Sequence, residues 1–183
     1  MSSDVTASHV NLARLYCENY HHGQFRKGSN EPYWKHPLAV AAVLERYGYA
    51  DPVTQCIALL HDIVEDTPLK MDEIHEIFGY EISNGVYTLS RNTGKMKEGR
   101  KLSKEEYLLR LSFARKKIRR VKIADMIDNT KDLETLALES REVKIQDAEN
   151  VYIPWGRQIA PLLIRELVAN IENYREKMRV REV

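Results

Sequence analysis

A chain of 183 residues, 43% hydrophobic and 30% charged with a formal net charge of +1, can bury one sizeable core but carries no overall basic field. Nucleic acid is therefore not an expected partner, and any affinity for phosphate has to be local. No apolar run approaches the roughly 18 residues a membrane span needs, and the start MSSDVTASHV lacks a charged-then-apolar leader pattern. The two cysteines, Cys17 and Cys56, lie too far apart for a metal knuckle and sit among apolar neighbours. A soluble, cytoplasmic protein with reduced thiols and no membrane partner is the expectation.

Apolar spacing is helical throughout, and no repeat or linker splits the chain. The pattern predicts one all-α unit over residues 1–183 with about seven or eight helices. The first covers residues 8–22. A loop, FRKGSNEPYWKHP, then sets Arg26, Lys27 and Lys35 beside Tyr33 and Trp34, just before a helix over 37–47 that begins near His36. Asp51-Pro52 supplies a capping side chain and a first-turn proline ahead of CIALL, and that helix is expected to continue through HDIVED. Gly79 closes MDEIHEIF as a glycine just past a helix end would. The polar stretch SRNTGKMKEGRKLS holds Gly94, Gly99 and five basic residues and reads as a solvated loop. Ser103 and Glu106 form an S-x-x-E capping box before YLLRL. Further helices are predicted over 116–134 and 156–175, the last with a stripe of Ile159, Leu162, Leu163 and Ile171.

Chemistry concentrates in polar groups set within apolar segments: His36, the pair His61-Asp62, and Asp125 in KIADMIDN. On a continuous helix His61 and Glu65 lie one turn apart, as do Asp62 and both Glu65 and Asp66. Three crowded carboxylates repel, and a divalent cation held by imidazole nitrogen and carboxylate oxygen relieves that repulsion. His36 and Asp125 would complete a set of two histidines and two aspartates. Mixed ligation of this kind suits Mn²⁺, Fe²⁺ or Zn²⁺, with Mn²⁺ the expected ion. Asp128, one turn from Asp125, competes with it as a ligand and ranks second because the segment turns polar there. Taken singly, a His-Asp dipeptide arises by chance and a His before Pro37 can simply cap a turn.

In order, the blocks FRKGSNEPYWKHPLAVAAVL, DPVTQCIALLHDIVEDT, FGYEISNGVYTLS and VKIADMIDNTKDL cover roughly two thirds of the chain. With them the sequence resembles the hydrolase domain of RelA/SpoT homologues, in particular the small stand-alone alarmone hydrolases of the HD superfamily. The resemblance implies an HD-domain helical bundle and Mn²⁺ on His36, His61, Asp62 and Asp125, with Glu65 and Asp66 serving the attacking water. It implies that Arg26 and Lys27 hold a guanosine nucleotide, with Asn129 near its sugar or phosphate, and that the reaction removes the 3′-pyrophosphate of (p)ppGpp to give GDP or GTP. Tyr152 and Trp155 stand where the family keeps aromatics; both are expected to pack, and Tyr152 is also placed for a nucleotide contact. Tyr33 and Trp34 are expected to pack beside the metal helix.

This chain departs from the bifunctional members at Met126, Asp128 and Asp132, where they carry Arg, His and Thr, and its loop after YTLSRN is basic rather than acidic. The departures spare the ligand set and touch the nucleotide end. Two rival readings follow: the same metal chemistry on another phosphorylated nucleotide, such as a dinucleotide 2′- or 3′-phosphate, or a non-catalytic nucleotide-binding module. A pure binder has little need for three crowded carboxylates. A homo-oligomer is compatible with the sequence.

Overall fold

Helix follows helix in the computed structural model, which describes residues 5–91 and 100–181; among them an isolated extended bridge joins Phe25 and Pro32. The helices are α1 (Ala7–Tyr20), α2 (Lys35–Arg46), α3 (Pro52–Leu60), α4 (Ile63–Asp66), α5 (Met71–Leu89), α6 (Lys104–Ser112), α7 (Lys116–Lys131), α8 (Leu138–Asp147), α9 (Ile153–Ile159) and α10 (Pro161–Arg181). A 3₁₀ turn, Leu133–Thr135, follows α7, and a π turn, Ala148–Tyr152, joins α8 to α9. The all-α expectation holds. Of the basic stretch 90–103, residues 92–99 with Gly94, Gly99, Lys95 and Lys97 lie outside the described residues.

Local signals place several boundaries. Asp51 Oδ1 accepts the Thr54 backbone N–H at 3.1 Å and Pro52 occupies the first turn of α3. At α6 the Glu106 N–H donates to Ser103 Oγ at 3.2 Å while the Ser103 N–H donates to Glu106 Oε2 at 2.9 Å. Gly79 has φ +78°, a backbone state that favours glycine, so the run from Met71 closes there as expected and a second run restarts at once within α5.

Two expectations are corrected. The helix carrying HDIVED is not continuous: α3 ends at Leu60, and His61 and Asp62 form a joint before α4, with Asp62 at φ −101° and ψ −6°. The stretch 156–175 is two helices, hinged at Ala160 (φ −158°), because Pro161 has no N–H to donate and its ring excludes the turn before it. Helix α8 carries too thin an apolar stripe to stand out, since Leu138 and Val143 are exposed and Ile145 alone is buried.

Helix α3 runs through the centre, packed against α1, α2, α5 and α7. Cys56, Ile57, Ala58, Leu59 and Leu60 are all buried, as a helix apolar on every side must be. Each of its large aliphatics contributes about 1.5–3 kcal/mol by leaving water. The central helix thereby fixes where His61 emerges. The loop before α2 is placed from the other side: Gly28 has φ +82°, and a Cβ there would collide with the carbonyl of Thr135, so this loop lies directly on the 3₁₀ turn after α7. Both thiols are buried, and burial pushes Cys17 and Cys56 up to about 12. Among the described residues no helix is long and apolar enough to cross a membrane.

Candidate metal centre

His61 leaves the end of α3 with its Nδ1 2.7 Å from the carbonyl oxygen of Ala58. A carbonyl only accepts, so the proton sits on Nδ1 and the lone pair on Nε2. That Nε2 is buried and forms no hydrogen bond, although Asp62 Oδ2 lies 3.1 Å away. His36, in the first turn of α2, repeats the arrangement: its Nδ1 lies 2.6 Å from Asp128 Oδ2, leaving Nε2 to face Asp125 Oδ1 at 3.2 Å and Asp62 Oδ2 at 3.6 Å. Donor atoms of His36, His61 and Asp62 all lie within 4.8 Å of one another, and Asp125 Oδ1 is 3.9 Å from His61 Nε2. Donor atoms of two imidazoles and Asp62 therefore converge with Asp125 beside both rings, and the buried His61 nitrogen that makes no hydrogen bond fits a cation as its partner.

Each carboxylate is held in place. Tyr33, expected only to pack, donates its hydroxyl to Asp62 Oδ2 at 2.6 Å. Lys122 donates from Nζ to Asp125 Oδ2 at 2.7 Å, and the Asn129 amide donates to Asp125 Oδ1. Asn129 in turn accepts from Lys144 Nζ at 3.1 Å. Burial alone would raise the Asp125 pKa, but the Lys122 ammonium and the two imidazoles hold it well below the usual carboxylate range. Burial likewise disfavours charge on His36, yet its bonds to Asp125 and Asp128 outweigh this and lift it to about 9 in the absence of a cation.

Asp128, the competing ligand candidate, sits behind His36 rather than beside Asp125, and it also takes the guanidinium of Arg26. Its place as alternative ligand is corrected by this geometry.

Two clefts flank the cluster and share Asp62, Lys122, Asn129 and Lys144. The first, about 670 Å³, contains Glu65, Arg91, Lys104, Tyr107 and Tyr152 in its walls. The second, about 640 Å³, contains Arg26, Lys27, Tyr33, His36 and Asp66. The site residues expected from sequence thus gather around one centre, but Glu65 and Asp66, consecutive on α4, open onto different clefts. Burial first, and then the charge of Asp62, raises the Asp66 carboxyl above its ordinary value. Tyr152 is buried with its ring 5.9 Å from Lys122 Nζ, opposite Tyr107 at 5.8 Å. Lys122 and Lys144 join the site without standing among the residues expected from sequence. For Lys122 a readable sign exists, a cation three residues before Asp125 in an apolar run; for Lys144, in the weak stripe of α8, there is none.

Comparison with known proteins adds to this geometry. A model described as "HD domain" matches residues 13–158. The guanosine-3′,5′-bis(diphosphate) 3′-pyrophosphohydrolase of Spiroplasma citri is 30% identical over 174 residues, covering 93% of this chain and 23% of that protein. The GTP pyrophosphokinase rsh of Brucella abortus is 31% identical over 166 residues, 89% of this chain and 22% of its own. A probable guanosine-3′,5′-bis(diphosphate) 3′-pyrophosphohydrolase of Synechocystis is 32% identical over 164 residues, 85% and 21%. The chain thus spans under a quarter of the length of these relatives. Among solved structures, one described as a metazoan ortholog of SpoT that hydrolyzes ppGpp superposes with a TM-score of 0.78 at 21% identity, over 94% of this chain and 98% of that one, and so shares its fold.

Proposed function

The chain belongs to the HD domain family, and from that premise we propose that it is a metal-dependent 3′-pyrophosphohydrolase of (p)ppGpp, releasing pyrophosphate and leaving GDP or GTP. The observation that carries the reading is the pair of buried imidazoles whose Nδ1 atoms are both committed to protein acceptors while both Nε2 atoms face Asp62 and Asp125. His36, His61, Asp62 and Asp125 would hold the ion, Mn²⁺ in our reading. When bound, such an ion supplies Lewis acidity at phosphorus and makes water more acidic.

The remaining work falls to this chain's own groups. Glu65, in the wall of the first cleft, accepts a proton from the attacking water. Asp66, whose carboxyl keeps its proton more readily than an ordinary aspartate, donates one to the ribose 3′ oxygen as the bond from phosphorus to that oxygen breaks. Proton transfer of this kind is worth about 10²–10⁴-fold in rate. Arg26 and Lys27 in the second cleft hold the nucleotide. Asn129, in both clefts, orients sugar or phosphate, and Tyr152 forms part of the first cleft's wall. Lys122 and Lys144, also in both clefts, bring positive charge to a substrate whose phosphates sit at two ends.

A second reading keeps the chemistry and changes the nucleotide to a dinucleotide 2′- or 3′-phosphate. It turns on the nucleotide end of the site, where the guanidinium of Arg26 is shared with Asp128. Metal-stripped protein incubated with ppGpp, with and without Mn²⁺, and resolved by anion exchange tests both. GDP and pyrophosphate only with metal is the expected result. No turnover of ppGpp with any divalent ion, alongside hydrolysis of a dinucleotide phosphate, overturns the first reading in favour of the second.

A further inference from the structure

One oxygen of Asp128 meets two different parts of the site. Oδ2 lies 2.6 Å from His36 Nδ1 and also accepts from the Arg26 guanidinium, and Arg26 Nη1 is 3.3 Å from the same Nδ1. Because a carboxylate at this pH only accepts, Nδ1 carries its proton and Arg26 and His36 are both donors aimed at one atom. Asp128 is buried on α7, Arg26 comes from the loop before α2, and His36 from α2 itself. The carboxylate is thus a tie between the group expected to bind nucleotide and the imidazole expected to bind metal.

We propose that Asp128 is a positioning residue that orients His36 toward the cation and Arg26 toward the nucleotide at the same time, so that metal and nucleotide binding are linked through one side chain. The inference rests on the metal-site reading above. A carboxylate on the far nitrogen fixes the ring's tautomer and raises its basicity as a ligand. Arg26 retains further N–H donors for phosphate, since guanidinium carries five.

Asp128→Asn keeps the size and an acceptor oxygen while removing the charge. Its Mn²⁺ affinity, read from the free-ion EPR signal with the variant's fold checked by circular dichroism, is expected to fall about 10–100-fold, as for the loss of a partner behind a metal-bound histidine. Calorimetry with GDP as probe is expected to show weaker binding as well, and prior saturation with Mn²⁺ is expected to tighten GDP binding in the wild type more than in Asp128→Asn. Should the variant fail to fold, ¹⁵N-histidine NMR of the wild type with Zn²⁺ replaces it: His36 is expected to keep a hydrogen-bonded Nδ1 proton and to bind the ion through Nε2. A folded Asp128→Asn with wild-type Mn²⁺ affinity, or an unprotonated Nδ1 on His36 with Zn²⁺ bound, overturns the linkage and leaves the metal reading standing. No binding of Mn²⁺ or Zn²⁺ by the wild type overturns both.

Discussion

The end of α3 and the start of α2 each deliver one imidazole to the cluster, and they secure it by opposite means. His61 is fixed by its own helix: the acceptor for Nδ1 is a carbonyl three residues back, inside the most apolar segment of the chain. His36 is fixed by a charged side chain 92 residues away on α7, itself shared with Arg26. A neutral, local mount is set as soon as the helix forms, whereas a charged, distant one exists only when α2, α7 and the loop between α1 and α2 are docked together. On the proposed reading, the difference separates a rigid metal ligand from one whose posture answers to nucleotide.

The largest effect expected is at the group both mounts serve. Asp62 Oδ2 lies 3.1 Å from one Nε2 and 3.6 Å from the other, so Asp62→Ala removes the shared partner of both. We expect hydrolysis to fall to background, and the stabilisation by Mn²⁺, about 2.7 kcal/mol at roughly 100 times Kd for one site, to disappear from thermal melts. A variant that still gains stability from Mn²⁺ would show the ion to lie elsewhere.

Next in size is Lys122→Met, which strikes only the α7 side. It strips a buried carboxylate of its ammonium, and loss of one partner of such a pair costs about 3 kcal/mol in urea unfolding. An unchanged midpoint would mean that Asp125 is compensated by other groups. Smaller, at about 1–2 kcal/mol, is Gly28→Ala, which forces a side chain onto a positive φ and against Thr135. Because the strain sits next to Arg26, KM is expected to rise more than kcat falls. Equal changes in both would place the loop's contribution in the chemical step instead.

A further effect concerns charge in the metal-free protein. Burial works against protonation of His36, but Asp125 and Asp128 prevail and raise it from 6.5 to about 9. A raised folded pKa adds stability that is fully present below the unfolded value and lost as pH rises through the folded one. The metal-free melting temperature should therefore fall between pH 6.5 and about 9, whereas Mn²⁺ affinity should rise over the same interval as the imidazoles give up their protons. A flat metal-free profile would remove the charged mount from the account.

What could be read from sequence follows the same division between local and distant. Caps at Asp51 and Ser103 and the turn at Gly79 are decided within four residues of themselves, and they appear where their side chains demand. His36, His61, Asp62 and Asp125 stand out as ligand candidates because polar groups in apolar helices need a reason; donor atoms of the first three lie within 4.8 Å of one another, and Asp125 Oδ1 lies 3.2 Å from His36 Nε2. The joint at His61-Asp62 was not, since nothing in LLHDIVED breaks helical periodicity. Asp128 competes with Asp125 on sequence because position along α7 gives its face but not what stands opposite, which is the far nitrogen of His36. Pro161 did carry a legible stop, overridden by an apolar stripe that runs across it.

The distance along the chain between His36 and Asp128 also has a bearing on time. A contact closing 92 residues carries a high loop-closure cost, and we expect it to form after the folding barrier is crossed. An ion gripped by a residue held in this way would add its attraction to the finished protein and little to the barrier, so Mn²⁺ is expected to slow unfolding while leaving the refolding rate nearly unchanged. Molecules loaded with the ion would then persist through transient stress that unravels the unloaded ones, and the surviving pool would carry a record of earlier metal supply.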